Sequence, residues 1–339
     1  MKPNQCTYLL PFWRAQFSTT AIDELAGHFR LLSGSGCEVL VVDGSPPAVF
    51  ARNAEAWGGL CEHVQVDRTF GYLNDKVNGI HTGVSLSRCE KIILADDDIR
   101  YTPESLSWVI QLLDRFEVVR PQNFLDPLPW WARLEAARML INRATLRAGD
   151  YPGTCAFLRQ SMLAAGPYDG DVLFDNEEII RHFAQCGSQI RYGVDLFVRK
   201  VPPSFRKWIE QRPRQAYEDF GLRTKTAIFL AVLPLFLGCI FLLGAKSTLL
   251  CLGGLSLFSM AIALRGWMRG SAREHFPLST ILFAPLWVCE RAVSTYWALY
   301  WFLLRGGYPF GGRLLSKGIG SDWRTGGRVA AQKTNKTTA

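Results

Sequence analysis

Three carboxylates in a row, Asp96, Asp97 and Asp98, close the short apolar run 91–95. Like charges held that close raise one another's pKa and repel, so the cluster is costly unless a cation sits among them. A divalent ion resolves the conflict. Hard carboxylate oxygens suit Mg2+ or Mn2+, and such ions keep part of their water shell and bind the phosphates of a nucleotide as well. Taken alone, the triplet also reads as an exposed acidic turn ahead of a helix at Pro103 and Glu104. A further carboxylate, Asp43, ends the apolar run 39–42 and precedes Gly44 and Ser45. It is placed to accept hydrogen bonds from a base or a ribose, although Asp-Gly-Ser is also a common turn.

Strands must carry both acidic groups. The runs 8–12 and 39–42 are apolar and bounded by turn residues, and between them Ile22, Leu25, Ala26, Phe29 and Leu32 fall at helical spacing. Val77, Ile80, Val84 and Leu86 mark another helix before the run 91–95, so strand and helix alternate and the spacing predicts an α/β fold with a largely parallel sheet. Ligands of such sheets bind outside the carboxyl ends of the strands, where Asp43 and Asp96–98 accumulate. The tract 118–131, with three prolines and Trp130 beside Trp131, reads as an irregular loop leading into a helix near 132–144.

The 339 residues are 48% hydrophobic, but unevenly so. Up to about residue 217 the apolar runs are short and broken by charge, whereas 226–264 holds almost none. The expected division is a cytosolic catalytic domain over 1–220, a membrane region over 221–305 and a basic, flexible tail over 306–339. Within the membrane region two spans are expected at about 226–244 and 248–264, making the protein multi-pass. A third stretch, 278–304, is interrupted by Pro285, Glu290 and Arg291 and is read as spanning or interfacial, the interfacial arrangement keeping the basic tail in the cytosol. In a bacterium the membrane would be the plasma membrane. The net charge of +8 gathers beside these segments and in the tail (Arg324, Arg328, Lys333 and Lys336), the pattern of loops facing anionic lipid rather than of a nucleic-acid surface. Nine cysteines without a CxxC pair read as reduced thiols. Residues 1–12 hold no long apolar run of the kind that exports a domain.

Longer motifs sharpen the picture. The segment 75–83 (DKVNGIHTG) resembles the Gly-Lys-and-small-residue helix of family 2 glycosyltransferases of the GT-A fold, and 96–104 (DDDIRYTPE) resembles their DxD loop. Downstream, 153–159 (GTCAFLR) resembles their small-residue strand, 174–180 (FDNEEII) sits where they carry an acidic pair, and 211–215 (QRPRQ) resembles the Gln-x-x-Arg-Trp motif of membrane-bound members, with Gln215 for the tryptophan. Other departures are Asp75 for the usual glycine and His81 for a frequent asparagine. The order of these blocks over residues 8–219 is the most specific feature, and it is similar to ceramide glucosyltransferase-like and dolichyl-phosphate-sugar synthase-like members.

This resemblance implies inverting, metal-dependent transfer of a sugar from a nucleotide-diphosphate sugar, most often a UDP-sugar, to a membrane-associated lipid acceptor. It would give Asp43 to the uridine, Lys76 to the base or diphosphate, Asp96 to the ribose and Asp98 to the metal, with Asp96 beside it. Gln211, Arg212 and Arg214 would meet the diphosphate or acceptor. A general base must take the acceptor proton. Glu177 is the first choice, with Glu178 and Asp175 as rivals.

Three other readings compete. A haloacid-dehalogenase-like phosphatase lacks its nucleophile, because Val41 stands two residues before Asp43. A nucleotidyltransferase on a related fold would release pyrophosphate, and an inactive membrane scaffold would turn nothing over.

Overall fold

The computed structural model describes residues 5–320. Chain order begins β1 (Cys6–Phe12), α1 (Thr19–Gly34), β2 (Cys37–Asp43), α2 (Pro47–Trp57), β3 (Glu62–Gln65), α3 (Asp75–Leu86) and β4 (Lys91–Ala95). It continues with β5 (Ile99–Arg100), α4 (Pro103–Leu112), β6 (Val118–Leu125), α5 (Trp130–Thr145), β7 (Thr154–Leu158), α6 (Arg159–Ala165), α7 (Asp175–Gln185) and β8 (Ile190–Lys200). Then come α8 (Phe205–Glu218), α9 (Arg223–Met268), α10 (Ala272–His275), α11 (Ala284–Leu304), β9 (Tyr308–Phe310) and β10 (Arg313–Leu315).

Eight strands form one sheet in the order β3-β2-β1-β4-β7-β6-β8-β5. β1 to β4 run parallel, β7 is antiparallel to both neighbours, β8 is parallel to β6, and β5 closes the edge antiparallel. Because β1 and β2 are covered on both faces, they are apolar almost throughout. Phe29, Trp57 and Val109 pack on one face, and Ile80, Val84 and Phe183 on the other. Gly83 brings α3 hard against β1, since a Cβ there would overlap the Leu9 side chain. Cys6 and Cys37, register partners on β1 and β2, are joined as a disulfide, where the sequence reading leaves all nine cysteines reduced.

Most of the expected irregular loop at 118–131 is instead β6, inside the sheet, with residues 126–129 connecting it to α5. Pro121 is tolerated there because it falls at a shift in register between Arg120 and Gln122, where the ladder is already interrupted and no amide is demanded.

Among the described residues one helix, α9, is long and apolar enough to cross a membrane, and only 6% of its most apolar stretch is buried. It is bent. Gly244 leaves helical geometry at φ 75°, a conformation that favours glycine, and Cys239 Sγ lies 3.8 Å from Cys251 Sγ. Twelve residues of straight helix would hold those sulfurs roughly 18 Å apart, so the two halves of α9 double back on one another. The feet of this hairpin are packed, with Thr226, Phe229 and Ala263 buried, whereas Phe241, Leu242 and Leu250 near its tip are each more than three-quarters exposed.

α11 packs on α8, α9 and α5 and buries Arg291, whose guanidinium meets Asp219 at 3.0 Å; Lys225 holds the same carboxylate at 2.9 Å. Replacing Arg291 by Met should destabilise the fold by about 3 kcal/mol, because a buried carboxylate loses one of its two cations. Denaturant unfolding in detergent measures it.

The stretch 306–320 is not a loose tail. β9 and β10 pair as a hairpin, Leu315 is buried, Val172 bridges Lys317, and the amides of Leu173 and Phe174 donate to Lys317 and Gly318 carbonyls. The extended backbone finds its partners in the loop before α7, a distant segment that local pattern does not reveal. The remainder of the expected tail lies outside the described residues.

Candidate active site

A cleft of about 1120 Å³ opens at the carboxyl ends of β1, β2 and β4 and runs on to α8. Lys76 stands at its centre, in the first turn of α3, where the Asn74 side chain caps the helix by accepting the Lys76 amide. Its ammonium reaches Asp96 Oδ1 at 2.6 Å, Asp175 Oδ2 at 2.7 Å and Asn176 Oδ1 at 3.0 Å. The Asn176 amide in turn donates to Asp96 Oδ2 at 3.1 Å, closing a ring of three side chains from three separate segments, with Asp175 attached to the Lys76 ammonium. Burial works against the Lys76 charge, but Asp175 and Asp96 outweigh it and raise its pKa. For Asp96 burial also opposes ionisation, and Lys76 and Lys200 together hold the carboxyl below the usual range.

The repulsion within the acidic triplet is met by a separate cation at each carboxylate. Asp96 has Lys76, Asp97 has Arg14 at 3.0 Å, and Asp98 has Lys200 at 3.2 Å. Sequence reasoning missed both Arg14 and Lys200, which lie 83 and 102 residues from their partners and carry no local pattern. Asp98 is the least compensated of the three: its Oδ1 is buried without a hydrogen-bond partner. Burial pushes its carboxyl up to about 6, with Asp96 and Asp97 adding to the effect and Lys200 opposing it.

Three expected site residues stand elsewhere than anticipated. Asp43 is fully buried behind the cleft wall and its oxygens are taken by the Ser45 amide at 2.7 Å, Asn53 at 2.8 Å and His63 at 3.0 Å. Burial opposes its charge, yet these bonds keep its carboxyl below the usual range, so it organises the turn and leaves Gly44 to line the cleft. Glu177, the first choice for the base, points away and pairs with Arg120 at 2.6 Å, the two being 14% and 3% exposed. Glu178 is likewise turned from the cleft and accepts the Gly320 amide at 2.8 Å. α7 presents Asp175 and Asn176 to the cleft, while Arg120 holds Glu177 and the Gly320 amide holds Glu178 against the protein. Of the three acidic candidates, Asp175 alone lines the cavity.

Gln211, Arg212 and Arg214 all reach the cleft from α8. Arg212 is buried, pairs with Glu135 at 3.0 Å and lies over the Trp208 ring; Arg214 is more open, paired with Glu218 at 3.0 Å and stacked on Phe310 of the β9–β10 hairpin. That hairpin therefore forms part of the cleft wall.

No known family model matches the sequence, and no curated protein does. Among solved structures, a mannosyltransferase from Pyrobaculum calidifontis in complex with GDP-Man and Mn2+ is similar over 87% of this chain and 88% of its own, at 18% identity and a TM-score of 0.51. A glucosyl-3-phosphoglycerate synthase from Mycobacterium tuberculosis, in complex with Mn2+, UDP and glucosyl-3-phosphoglycerate, is similar over 61% of this chain and 75% of its own, at 15% identity and a TM-score of 0.39. The first likeness fixes the architecture as GT-A, the fold of nucleotide-diphospho-sugar transferases. It also reaches past residue 220, because the first 220 residues are only about 65% of the chain.

Proposed function

We propose that this chain transfers a sugar from a nucleotide-diphosphate sugar, a UDP-sugar first among them, to a lipid acceptor at the membrane surface, with inversion at the anomeric carbon. The observation that carries the reading is the Lys76 ring: one ammonium gathering Asp96, Asp175 and Asn176 at the mouth of a parallel sheet, beside the acidic loop.

In the proposed reaction the acceptor oxygen bonds to the anomeric carbon as the bond from that carbon to the diphosphate breaks on the opposite face, its electron pair leaving with the diphosphate. The acceptor's proton passes to Asp175, the carboxylate that lines the cleft, in place of Glu177. Lys76 and Arg214 are among the cations lining the cleft that can meet the departing charge. Asp98, with its buried free Oδ1, and Asp96 would hold Mg2+ or Mn2+, which when bound neutralises diphosphate charge. No group of three or more metal-binding side chains exists among the described residues, so the fit is to an ion held by one or two carboxylates, with phosphate and water completing its shell.

The membrane reading rests on α9 and α11. Each arm of the α9 hairpin is roughly 30 Å long, matching the hydrocarbon thickness of a bilayer. α11 exposes Leu286, Val293, Trp297, Tyr300 and Leu304 along one face while its other face packs on the protein, the form of a helix lying in the interface. In this arrangement the chain enters and leaves the bilayer on the cytosolic side, and the cleft that runs to α8 opens towards the lipid.

Membranes carrying the chain, incubated with a panel of labelled nucleotide sugars, should yield labelled lipid in an EDTA-sensitive manner. Pyrophosphate release with the sugar still phosphorylated would instead favour nucleotidyl transfer, and label that never enters the lipid extract with any donor would refute the proposal. Gly153→Ala offers a finer check. A Cβ there would lie 2.6 Å from Asp96 Oδ2, so Asp96 must move and its bond from Asn176 breaks. Nucleotide affinity should fall by roughly tenfold with the fold retained, as read by calorimetric titration.

A further inference from the structure

Lys200 is the last residue of β8, and its backbone is fixed by the sheet: it pairs with Ile99 on one side and Leu125 on the other, and its carbonyl accepts the Asp126 amide at 3.2 Å. The next amide, Val201, donates to the Asp98 carbonyl at 2.8 Å, so strand register places Lys200 beside the acidic loop. Its ammonium lies 3.2 Å from Asp98 Oδ2, and the side chain is 24% exposed, open to the cleft. Gly153 leaves the room for it, since a Cβ at that position would stand 3.3 Å from Nζ.

Of the three cations on the triplet, Lys200 makes the longest contact, and it sits on the carboxylate whose second oxygen is buried and unpartnered. A divalent ion arriving at Asp98 would meet a positive charge already there. An ammonium on a flexible four-carbon stem can give way, and the same cleft then offers it the phosphate oxygens of the nucleotide.

We propose that Lys200 is a resident counter-cation of the acidic loop that competes with the divalent metal for Asp98 and, once displaced, holds the nucleotide's diphosphate. This rests on the reading of the cleft as a nucleotide-sugar site. It makes Lys200 a positioning residue whose loss has opposite effects on the two ligands.

The test titrates Mn2+ into the purified full-length chain in detergent without nucleotide, following free Mn2+ by electron paramagnetic resonance, and measures UDP binding separately. K200M should bind Mn2+ about tenfold more tightly than the wild type, the scale of removing one partly screened like charge, while K200R stays close to wild type. With Mn2+ saturating, UDP affinity should fall several-fold in K200M and hold in K200R. K200Q removes the same charge with a polar side chain and must move both affinities in the same directions. A merely structural lysine would weaken Mn2+ binding or leave it alone, and that outcome in the neutral variants, with UDP still bound, overturns this inference only. A wild-type chain that takes up neither Mn2+ nor UDP overturns the reading of the cleft as well.

Discussion

Asp98→Asn should lower metal-dependent sugar transfer by roughly 1000-fold and, in the same protein, raise the stability of the metal-free fold. Both effects come from the position of Asp98, whose Oδ1 is buried and unpaired and whose neighbours are two more carboxylates. Its carboxyl is pushed from 3.8 up to about 6 in the folded chain, so the folded state holds on to a proton that the unfolded state has released. Stability from this group is therefore complete below about pH 4, is lost as pH rises through about 6, and stays lost at neutral pH. The asparagine carries no such charge. Each pKa unit corresponds to about 1.4 kcal/mol, and partial exposure of the side chain reduces the gain to the order of 1–2 kcal/mol near neutral pH, with little gain at about pH 4. Thermal unfolding in EDTA at the two pH values measures the stability, and labelled-lipid formation with added Mn2+ measures the activity. A variant that keeps full transfer, or loses stability near neutral pH, contradicts the role given to Asp98.

Asp175→Asn and Glu177→Gln should separate a proton acceptor from a structural ion pair. Asp175→Asn is expected to reduce kcat by 100-fold or more, the range of a lost general base, while nucleotide binding survives because Lys76 keeps Asp96 and Asn176. Glu177→Gln is expected to leave kcat within about tenfold and to cost about 3 kcal/mol of stability, since the Arg120 guanidinium, 3% exposed, is left without its carboxylate. Single-turnover kinetics with saturating donor, beside denaturant unfolding, distinguish the two. Full turnover by Asp175→Asn with a dead Glu177→Gln would return the base to the residue favoured on sequence alone.

The alternation of strand and helix through β4 was legible because it is a local property. Ile22, Leu25, Phe29 and Leu32 repeat at 3.6 residues, and 39–42 and 92–95 are uninterrupted apolar runs, so each element declares itself within a dozen residues. β6 was hidden because Pro121 argues against a strand until the register shift that accommodates it is known. The acidic loop and Lys76 could be singled out from motif order, and their meeting follows once β4 and α3 belong to one sheet. Likewise, the hydrophobic pattern of 226–264 announced a membrane-compatible segment with a turn near 244–247, because twenty-residue apolar runs are a matter of composition and length.

What sequence alone determined, then, is the kind of fold, the mouth of the sheet where the carboxylates gather, and the apolar segment behind it. Which carboxylate faces the cleft, which cation answers each aspartate, and the return of 306–320 to the loop before α7 were decided by tertiary structure. Asp98 and Lys200 are 102 residues apart, Arg120 and Glu177 are 57 apart, and Gly320 and Glu178 are 142 apart. A side chain's direction depends on a helix's rotation against its neighbours and a strand's register in the sheet. Those are set by packing over the whole domain, and no window of neighbouring residues contains them.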